Sequence, residues 1–232
     1  MNGNLRTNTQ VRRKFFDFAD DEIFYPETDG EPMAETDKHR DLILELIETL
    51  KRYFSNKKDV YVTGNIMFYY LEDVPEEVVS PDVMVVFGVK RQQRRIYKMW
   101  EEKQSPSVII EIASRSTFKK DRTEKRELYE SLGVKEYFIF NPEYPKTLPS
   151  LIAYRLLNNE FQPLKVENGR VFSDVLDLEL FDTGDWLKFF DIKQNKFLLN
   201  SMELIEEAEK RARKAEIENK KLKAKLAKLK NG

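Results

Sequence analysis

Two short runs in the middle of the chain are almost entirely apolar. Val83–Phe87 directly follows Asp82, and residues 108–110 lead directly into Glu111. Apolar runs of this length, without alternating polar residues, are typical of strands in a sheet that is covered on both faces. Helices must then pack above and below the sheet, so the sequence predicts an α/β fold. It also predicts that each of two buried strands carries a carboxylate.

A helix is predicted over residues 118–132, where apolar side chains recur at helical spacing. Lys125 falls at the centre of the apolar arc and is therefore expected to point inward. A buried ammonium needs a partner, because desolvating it unpaired costs on the order of several kcal/mol. Asp82, Glu111 and Asp121 are the candidate partners. The apolar members of the arc are Phe118, Leu128, Tyr129 and Leu132.

The elements around this helix predict a strand–helix–strand unit. Ser116 or Thr117 is a suitable N-cap for the helix, and Gly133 follows its last turn. Glu136–Phe140 is then a further strand. A helix that connects two strands in this way packs over the sheet. We therefore expect the two carboxylates and the lysine to meet at one end of the sheet.

An ordered series of motifs surrounds these residues. Its members are Tyr25-Pro26-Glu27, residues 29–34, His39, Ser80-Pro81-Asp82, residues 108–114, Ser116-Thr117, Asp121, Lys125, Tyr129, residues 133–137 and Asn141-Pro142. In this order the series resembles the Uma2 family of restriction-endonuclease-like proteins, within the PD-(D/E)XK nuclease superfamily. The resemblance implies an α/β domain, a restriction-endonuclease-like mixed β-sheet flanked by helices, over residues 1–200.

The resemblance also implies the roles of the site residues. Asp82, Glu111 and the backbone carbonyl of Ile112 are expected to bind a divalent cation, with Mg²⁺ favoured by oxygen ligands and Mn²⁺ as a substitute. The superfamily usually places a lysine two residues after the glutamate, where this chain has Ala113. The resemblance implies that the lysine is relocated to Lys125, on the following helix, where it would orient the attacking water.

Composition excludes several other chemistries. The chain has no cysteine, and its single histidine is His39. A thiolate zinc site and an HExxH motif are therefore excluded. We find neither a secretory signal nor an apolar run of membrane-spanning length, so a cytoplasmic protein without a membrane partner is expected. A chain of 232 residues is long enough for one substantial core.

Residues 90–98 form a basic segment with no acidic residue. The net charge of −1 argues against indiscriminate binding to nucleic acid, because affinity for phosphates depends on local cations. This segment directly follows the strand that carries Asp82, so we predict that it contacts DNA. The alternative is a solvated loop that keeps a sheet edge soluble. The cations are Lys90, Arg91, Arg94, Arg95 and Lys98.

The other patterns are interpreted as structural. A helix is predicted over residues 36–54, and His39 lies on its inward side, where a packing role is commoner than a catalytic one. Glu35, just before this helix, is a further metal-site candidate. Three strand regions are also predicted. They are residues 59–70 with a bend at Gly64, a hairpin of residues 151–157 and 161–166 around Asn158-Asn159, and an edge strand over residues 171–181.

From about Ser201 the chain is rich in Glu, Lys, Ala and Leu and lacks Gly and Pro until its end. This composition predicts a helical tail over residues 201–232. Alternating steps of three and four residues define an a/d seam, which predicts a short coiled coil and a homodimer. A lone helix, stabilised by ion pairs four residues apart, is the alternative. The seam consists of Ile205, Ala208, Ala212, Ala215, Asn219, Leu222, Leu226 and Leu229.

Together these features favour a metal-dependent endonuclease that hydrolyses phosphodiester bonds of DNA. Two other classes of function remain open. A nucleic-acid-binding module without catalysis would need the basic segment but no metal. A scaffold would need neither, and Lys125 would then be one half of a buried ion pair. The two carboxylates together with an inward lysine favour the enzyme.

Overall fold

The computed structural model describes residues 23–28, 36–114, 117–142 and 149–230. Glu35, Ser116 and the motif of residues 29–34 lie outside the described residues. The first half contains α1 (Asp37–Tyr53), β1 (Val60–Thr63), β2 (Phe68–Tyr69), β3 (Val78–Val79), β4 (Val83–Phe87), β5 (Tyr97–Lys98), α2 (Met99–Glu102) and β6 (Val108–Ile112). The second half contains α3 (Phe118–Lys120), a π-helical turn (Asp121–Lys125), α4 (Arg126–Ser131), β7 (Glu136–Phe140), β8 (Leu151–Leu157), β9 (Glu160–Pro163), β10 (Arg170–Ser173), β11 (Leu178–Asp182), β12 (Leu187–Asp191), β13 (Lys196–Phe197) and α5 (Ser201–Lys230).

A six-stranded mixed sheet forms the centre of the fold, in the order β1-β4-β6-β7-β8-β9. Strands β6 and β7 pair in parallel, and the other neighbours in this sheet are antiparallel. The segment that joins β6 to β7 contains α3, the π-helical turn and α4. The predicted mixed sheet flanked by helices, with its strand–helix–strand unit, is confirmed.

The two faces of the central sheet are covered by different layers. On one face, Val83, Ile110 and Phe138 pack in a cluster with Leu42 of α1 and Leu180 of a second, antiparallel sheet, β10-β11-β12-β13. Alternate residues of the same strands face the other way, because successive side chains in a strand point to opposite faces. There Met84, Ile109 and Tyr137 pack with Tyr129 of α4. By this alternation Glu111 lies on the α4 face.

The helix predicted over residues 118–132 is interrupted. Instead of continuous α-helix, a π-helical turn of five residues, Asp121–Lys125, separates α3 from α4. A π turn accommodates one more residue than an α-helical turn and is frequent at functional sites. Its sequence, Asp-Arg-Thr-Glu-Lys, contains no proline or glycine that would signal a break.

Two strand predictions were wrong in their extent. Residues 59–70 form β1 and β2, which belong to different sheets, because the chain leaves the central sheet after Thr63. Residues 171–181 form the antiparallel hairpin of β10 and β11 rather than a single edge strand. The hairpin of β8 and β9 is confirmed, although β9 ends at Pro163. Its turn residues Asn158 and Asn159 have positive φ angles of 53° and 66°, as a two-residue hairpin turn requires.

The C-terminal tail is one long helix that begins after Asn200. Asn200 and Glu203 cap its first turn reciprocally, with each side chain accepting the backbone N–H of the other residue at 2.7 and 3.0 Å. Lys188 of β12 pairs with Glu203 at 2.6 Å, and the Asn200 side chain donates to Glu45 of α1 at 2.9 Å. These contacts attach the first turn of α5 to the sheet-containing part of the chain. In the described part of the chain, none of the helices is both long enough and apolar enough to cross a membrane.

Candidate active site

Asp82 and Glu111 are brought together by the pairing of β4 with β6. In this antiparallel pair Val83 lies opposite Ile110, and extending the register by one residue places Asp82 opposite Glu111. Residues that face each other across such a pair project to the same side of the sheet. The carboxylate of Asp82 also accepts the backbone N–H of Ile112 at 2.7 Å. Both acidic side chains therefore lie at the same end of the sheet, as expected from the sequence.

Gly64 fixes the backbone at Asp82. A Cβ atom on Gly64 would lie 1.9 Å from the carbonyl oxygen of Asp82 and 2.8 Å from the Cδ1 atom of Ile47. The neighbouring Asn65 donates its backbone N–H to Pro81 at 2.9 Å. Only glycine permits this close approach of the two backbones. The sequence interpretation treated Gly64 only as a bend and missed its contact with the site.

Glu111 is buried, with its side chain 1 % exposed, and both of its oxygens have partners. The hydroxyl of Tyr129 donates to Oε1 at 2.7 Å. The Nζ atom of Lys125 lies 2.9 Å from Oε2. The carboxylate is thus held between α4 and the π-helical turn, and a side chain in this position has a fixed orientation.

Lys125 pairs with two acidic residues at once. In addition to Glu111, its ammonium lies 3.0 Å from Oδ1 of Asp121, four residues earlier. The side chain of Lys125 is 16 % exposed, so its inward direction is as the periodicity predicted, although it keeps access to solvent. The backbone carbonyl of Asp121 accepts the hydroxyl of Tyr137 at 2.9 Å, which ties the π-helical turn to β7.

Sequence reasoning undervalued two residues of this cluster. Asp121 was named as a possible partner of Lys125, and Tyr129 as a member of the apolar arc. The Asp–Lys spacing of four residues is the signal that places Asp121 on the same helix face as Lys125. A buried tyrosine hydroxyl usually has a hydrogen-bond partner, and here that partner is Glu111.

The electrostatics of the cluster favour an additional positive charge. Burial raises the pKa of Glu111 to about 8, and Asp82 and Asp121 act in the same direction, whereas Lys125 and Tyr129 oppose them. Burial by itself lowers the pKa of Lys125, but Glu111, Asp121 and Asp82 together raise it above its ordinary value. Lys125 is therefore an ammonium at neutral pH. Three acidic groups surround this one cation, so the site can accept a proton or a metal ion.

His39 lies close to Asp82. It belongs to the first turn of α1, whose N-cap Thr36 accepts the backbone N–H of His39 at 3.2 Å. The Nε2 atom of His39 is 3.7 Å from Oδ2 of Asp82. The inward position expected from the sequence is thus observed, and α1 reaches the site through this residue.

The family is decided by a match over most of the chain. The sequence profile of the Uma2 family, described as "Putative restriction endonuclease", matches residues 14–186. This chain belongs to the Uma2 family. The family resemblance predicted from the sequence is confirmed, and membership supports a nuclease function.

Comparison with solved structures gives a remote similarity. The crystal structure at 1.96 Å of a putative nuclease belonging to DUF820 from Anabaena variabilis matches with a TM-score of 0.46 and 15 % sequence identity. The match covers 65 % of this chain and 86 % of that chain. No match was found among curated proteins.

In this Uma2 chain the donors at the site suit a hard divalent cation. Asp82 and Glu111 offer carboxylate oxygens on one side of the sheet, in surroundings with excess negative charge. Within the described ranges, no three His, Asp or Glu side chains are grouped so that they could hold a metal ion by themselves. Mg²⁺ usually binds through one or two carboxylates and completes its shell with water and substrate phosphate. The two carboxylates fit that mode of binding.

The basic segment of the Uma2 chain runs along the outer edge of β1. The backbone N–H of Arg91 donates to Lys58 at 3.0 Å, and its guanidinium donates to the carbonyl of Ser55 at 3.0 Å. Lys90 is exposed on the same loop. These contacts attach the start of the segment to the turn that precedes β1.

The remaining cations of this segment differ in their availability. Arg94 is 6 % exposed, makes two hydrogen bonds to Glu102 at 2.5 and 2.9 Å and lies over the ring of Tyr61. Arg95 is 82 % exposed and pairs with Glu27 at 2.5 Å. Lys98 pairs with Glu101 at 2.9 Å. The contacts of Arg94 are structural, so a DNA contact through this segment would depend on the other cations.

We predict that Gly64→Ala displaces Asp82. The added Cβ cannot be accommodated at 1.9 Å from a backbone oxygen, so β1 and β4 must separate locally. The free energy of unfolding should fall by about 1–3 kcal/mol, as is usual for overpacking. Chemical denaturation measures this loss. Gly133→Ala is the control, because no atom lies within 4 Å of a Cβ there and its cost comes only from a φ angle of 75°. Divalent-cation binding that is unchanged in Gly64→Ala would contradict the link to Asp82.

Proposed function

We propose that this Uma2 protein is a metal-dependent endonuclease that hydrolyses phosphodiester bonds of DNA. The observation that carries the proposal is the cluster at the end of β4 and β6, where Asp82 and Glu111 lie on the same side of the sheet and Lys125 contacts Glu111. Family membership supports the same activity. The cytoplasm is the expected location.

Asp82, Glu111 and the backbone carbonyl of Ile112 would hold the metal ion, with Mg²⁺ as the expected ion and Mn²⁺ as a substitute. A bound divalent ion supplies Lewis acidity toward a phosphate oxygen and lowers the pKa of a bound water. The N–H of Ile112 keeps the Asp82 carboxylate turned toward β6 at 2.7 Å. The hydroxyl of Tyr129 holds Glu111 at 2.7 Å. Both contacts preorganise the acidic side chains before any ligand binds.

Lys125 would orient the attacking water and stabilise the negative charge that develops on the phosphate. Its ammonium has three donors. Glu111 and Asp121 each form an ion pair with it at about 3 Å, and its partial exposure leaves it accessible to substrate or water. Asp121 is therefore a positioning residue, because it holds the lysine from the same helical segment. No covalent intermediate is required.

The scaffold alternative explains fewer features of the cluster. A structural ion pair needs one carboxylate for one ammonium, and burying further acids without compensation is costly. Here Glu111 and Asp121 both contact Lys125, and Asp82 adds a third negative charge that raises the pKa of Glu111. Such an excess of acid disfavours a merely structural pair. It is expected where a cation is bound during function.

We further propose that residues 1–200 form the nuclease domain and residues 201–232 a separate helical tail. The reciprocal cap of Asn200 and Glu203 marks the junction.

DNA is the expected substrate, and the loop of residues 90–98 is its expected contact outside the catalytic cluster. The exposed cations Lys90, Arg91 and Arg95 would supply that contact.

The metal site is tested by calorimetry with Mg²⁺ and Mn²⁺. Asp82→Asn and Glu111→Gln each remove one negative charge with little change of shape, and each should weaken binding by roughly 100-fold, which is about 2.7 kcal/mol. Asp191→Asn is the control, because Asp191 is also buried but lies in the second sheet, where it accepts from Gln194. Wild-type affinity in both site variants would exclude this metal site.

The catalytic role of Lys125 is tested with Lys125→Met. Cleavage of supercoiled, linear and single-stranded DNA should fall by roughly 10²–10³-fold, the usual cost of removing one transition-state donor. Metal binding should persist because both carboxylates remain. Lys120→Met, at an exposed position on the same helical segment, should cleave like the wild type.

Thermal unfolding of the same preparations separates the alternatives. Removing Lys125 leaves Glu111 and Asp121 without their cation, and some loss of melting temperature is expected unless Mg²⁺ is present. In a scaffold, which binds no metal, the loss would be the same with and without Mg²⁺. Full activity of Lys125→Met would refute the catalytic assignment.

The DNA contact is tested by comparing two adjacent arginines. Arg95→Ala should weaken DNA binding at low salt and reduce the slope of log K against log salt by about 1, as the loss of one phosphate contact requires. Arg94→Ala should instead lower the free energy of unfolding by about 1–3 kcal/mol, because Glu102 loses its partner. Unchanged DNA affinity and salt dependence in Arg95→Ala would remove it from the contact.

A further inference from the structure

Helix α5 presents an apolar seam to solvent. Leu222 is 51 % exposed and Leu226 and Leu229 are exposed as well, although they occupy consecutive positions of the a/d pattern. The contacts of Asn200 and Glu203 attach only the first turn of the helix to the rest of the chain. A large exposed apolar stripe on a helix is usually covered by a partner.

Most of the charges beside the seam are self-complementary. With Ile205 and Asn219 at a positions, Arg211 and Glu218 fall at g positions, and Glu216 and Lys223 fall at e positions. In a parallel two-stranded coiled coil, a g residue faces the e residue of the next heptad in the other helix. Arg211 then faces Glu216, and Glu218 faces Lys223. Both kinds of pair are attractive, each occurs twice by symmetry, and they outnumber the one repulsive kind, in which Lys225 faces Lys230.

We propose that α5 pairs with α5 of a second copy of this chain as a parallel, in-register coiled coil. Asn219 then lies opposite Asn219 of the second copy, and a buried asparagine pair at an a position fixes both register and the two-stranded state. The leucine layers at 222, 226 and 229 supply most of the buried apolar surface. Ala208, Ala212 and Ala215 bury less, so the dimer is weak.

An antiparallel pair does not fit the same charges. When the two seams overlap fully in the antiparallel direction, g positions face g positions and e positions face e positions. Glu218 then faces Glu218, Glu216 faces Glu216 and Arg211 faces Lys225, and these repulsive contacts outnumber the one attractive kind, in which Glu209 faces Lys223. Nucleic acid is likewise disfavoured as the occupant of the whole seam, because the helix carries acidic residues along its length as far as Glu218.

Sedimentation of the full chain and of two glutamate variants tests the contact surface. Leu222→Glu places a charge in the seam and should weaken dimerisation by more than roughly tenfold. Ile217→Glu is a matched control, because Ile217 is 56 % exposed but occupies the f position on the opposite side of the helix. It should dimerise like the wild type. A wild type that stays monomeric, or a Leu222→Glu variant that dimerises normally, overturns the proposal.

Cysteine cross-linking tests the direction of the helices. The chain has no cysteine of its own, so single substitutions give unambiguous products. Under a mild thiol oxidant, Leu229→Cys should form a disulfide-linked dimer, because residue 229 faces itself in the parallel arrangement. In the antiparallel arrangement it would face residue 205, about 36 Å away along the helix from the other thiol. Ile217→Cys should not cross-link, and a Leu229→Cys chain that fails to cross-link while still dimeric overturns the parallel assignment.

Discussion

The contact between Glu111 and Lys125 is the interaction on which the site depends. It joins the central sheet to the π-helical turn, and it lies where a charge without a partner would be strongly destabilising. The lysine satisfies two acidic residues, yet with Asp82 nearby the cluster keeps more negative than positive charge. The same arrangement therefore stabilises the fold and leaves a net negative charge that favours the binding of a further cation. The side chain of Lys125 therefore contributes both to the stability of the fold and to the proposed chemistry.

The central part of the site could be predicted from sequence because it follows simple periodicities. The uninterrupted apolar runs identified β4 and β6, and the helical spacing around Lys125 gave its inward direction. The π-helical turn could not be predicted, because Asp121–Lys125 contains only ordinary helix-compatible residues and its geometry depends on tertiary contacts. The same limit applies to Gly64, whose role depends on how closely β1 approaches Asp82.

The basic loop of residues 90–98 shows that composition alone cannot tell which basic side chains are available to bind a ligand. Its cations are equivalent in the sequence, but Arg94 is buried against Tyr61 and bound by Glu102, whereas Arg95 extends into solvent. The buried Arg94 maintains the edge of the sheet, whereas the exposed Arg95 can bind a polyanion. The segment can thus serve the fold and a ligand at the same time, through different side chains.

The π-helical turn has a consequence for how this site can change in evolution. A π turn corresponds to one residue inserted into an α-helix, so loss of a single residue between Asp121 and Lys125 would restore regular geometry. The π turn takes up the extra residue, so the helices on either side of it would keep their register. Tyr129 could then keep its place on Glu111, while Asp121 and Lys125 would be three residues apart instead of four. A one-codon deletion could therefore change the geometry of the charged cluster and leave the core of the domain intact.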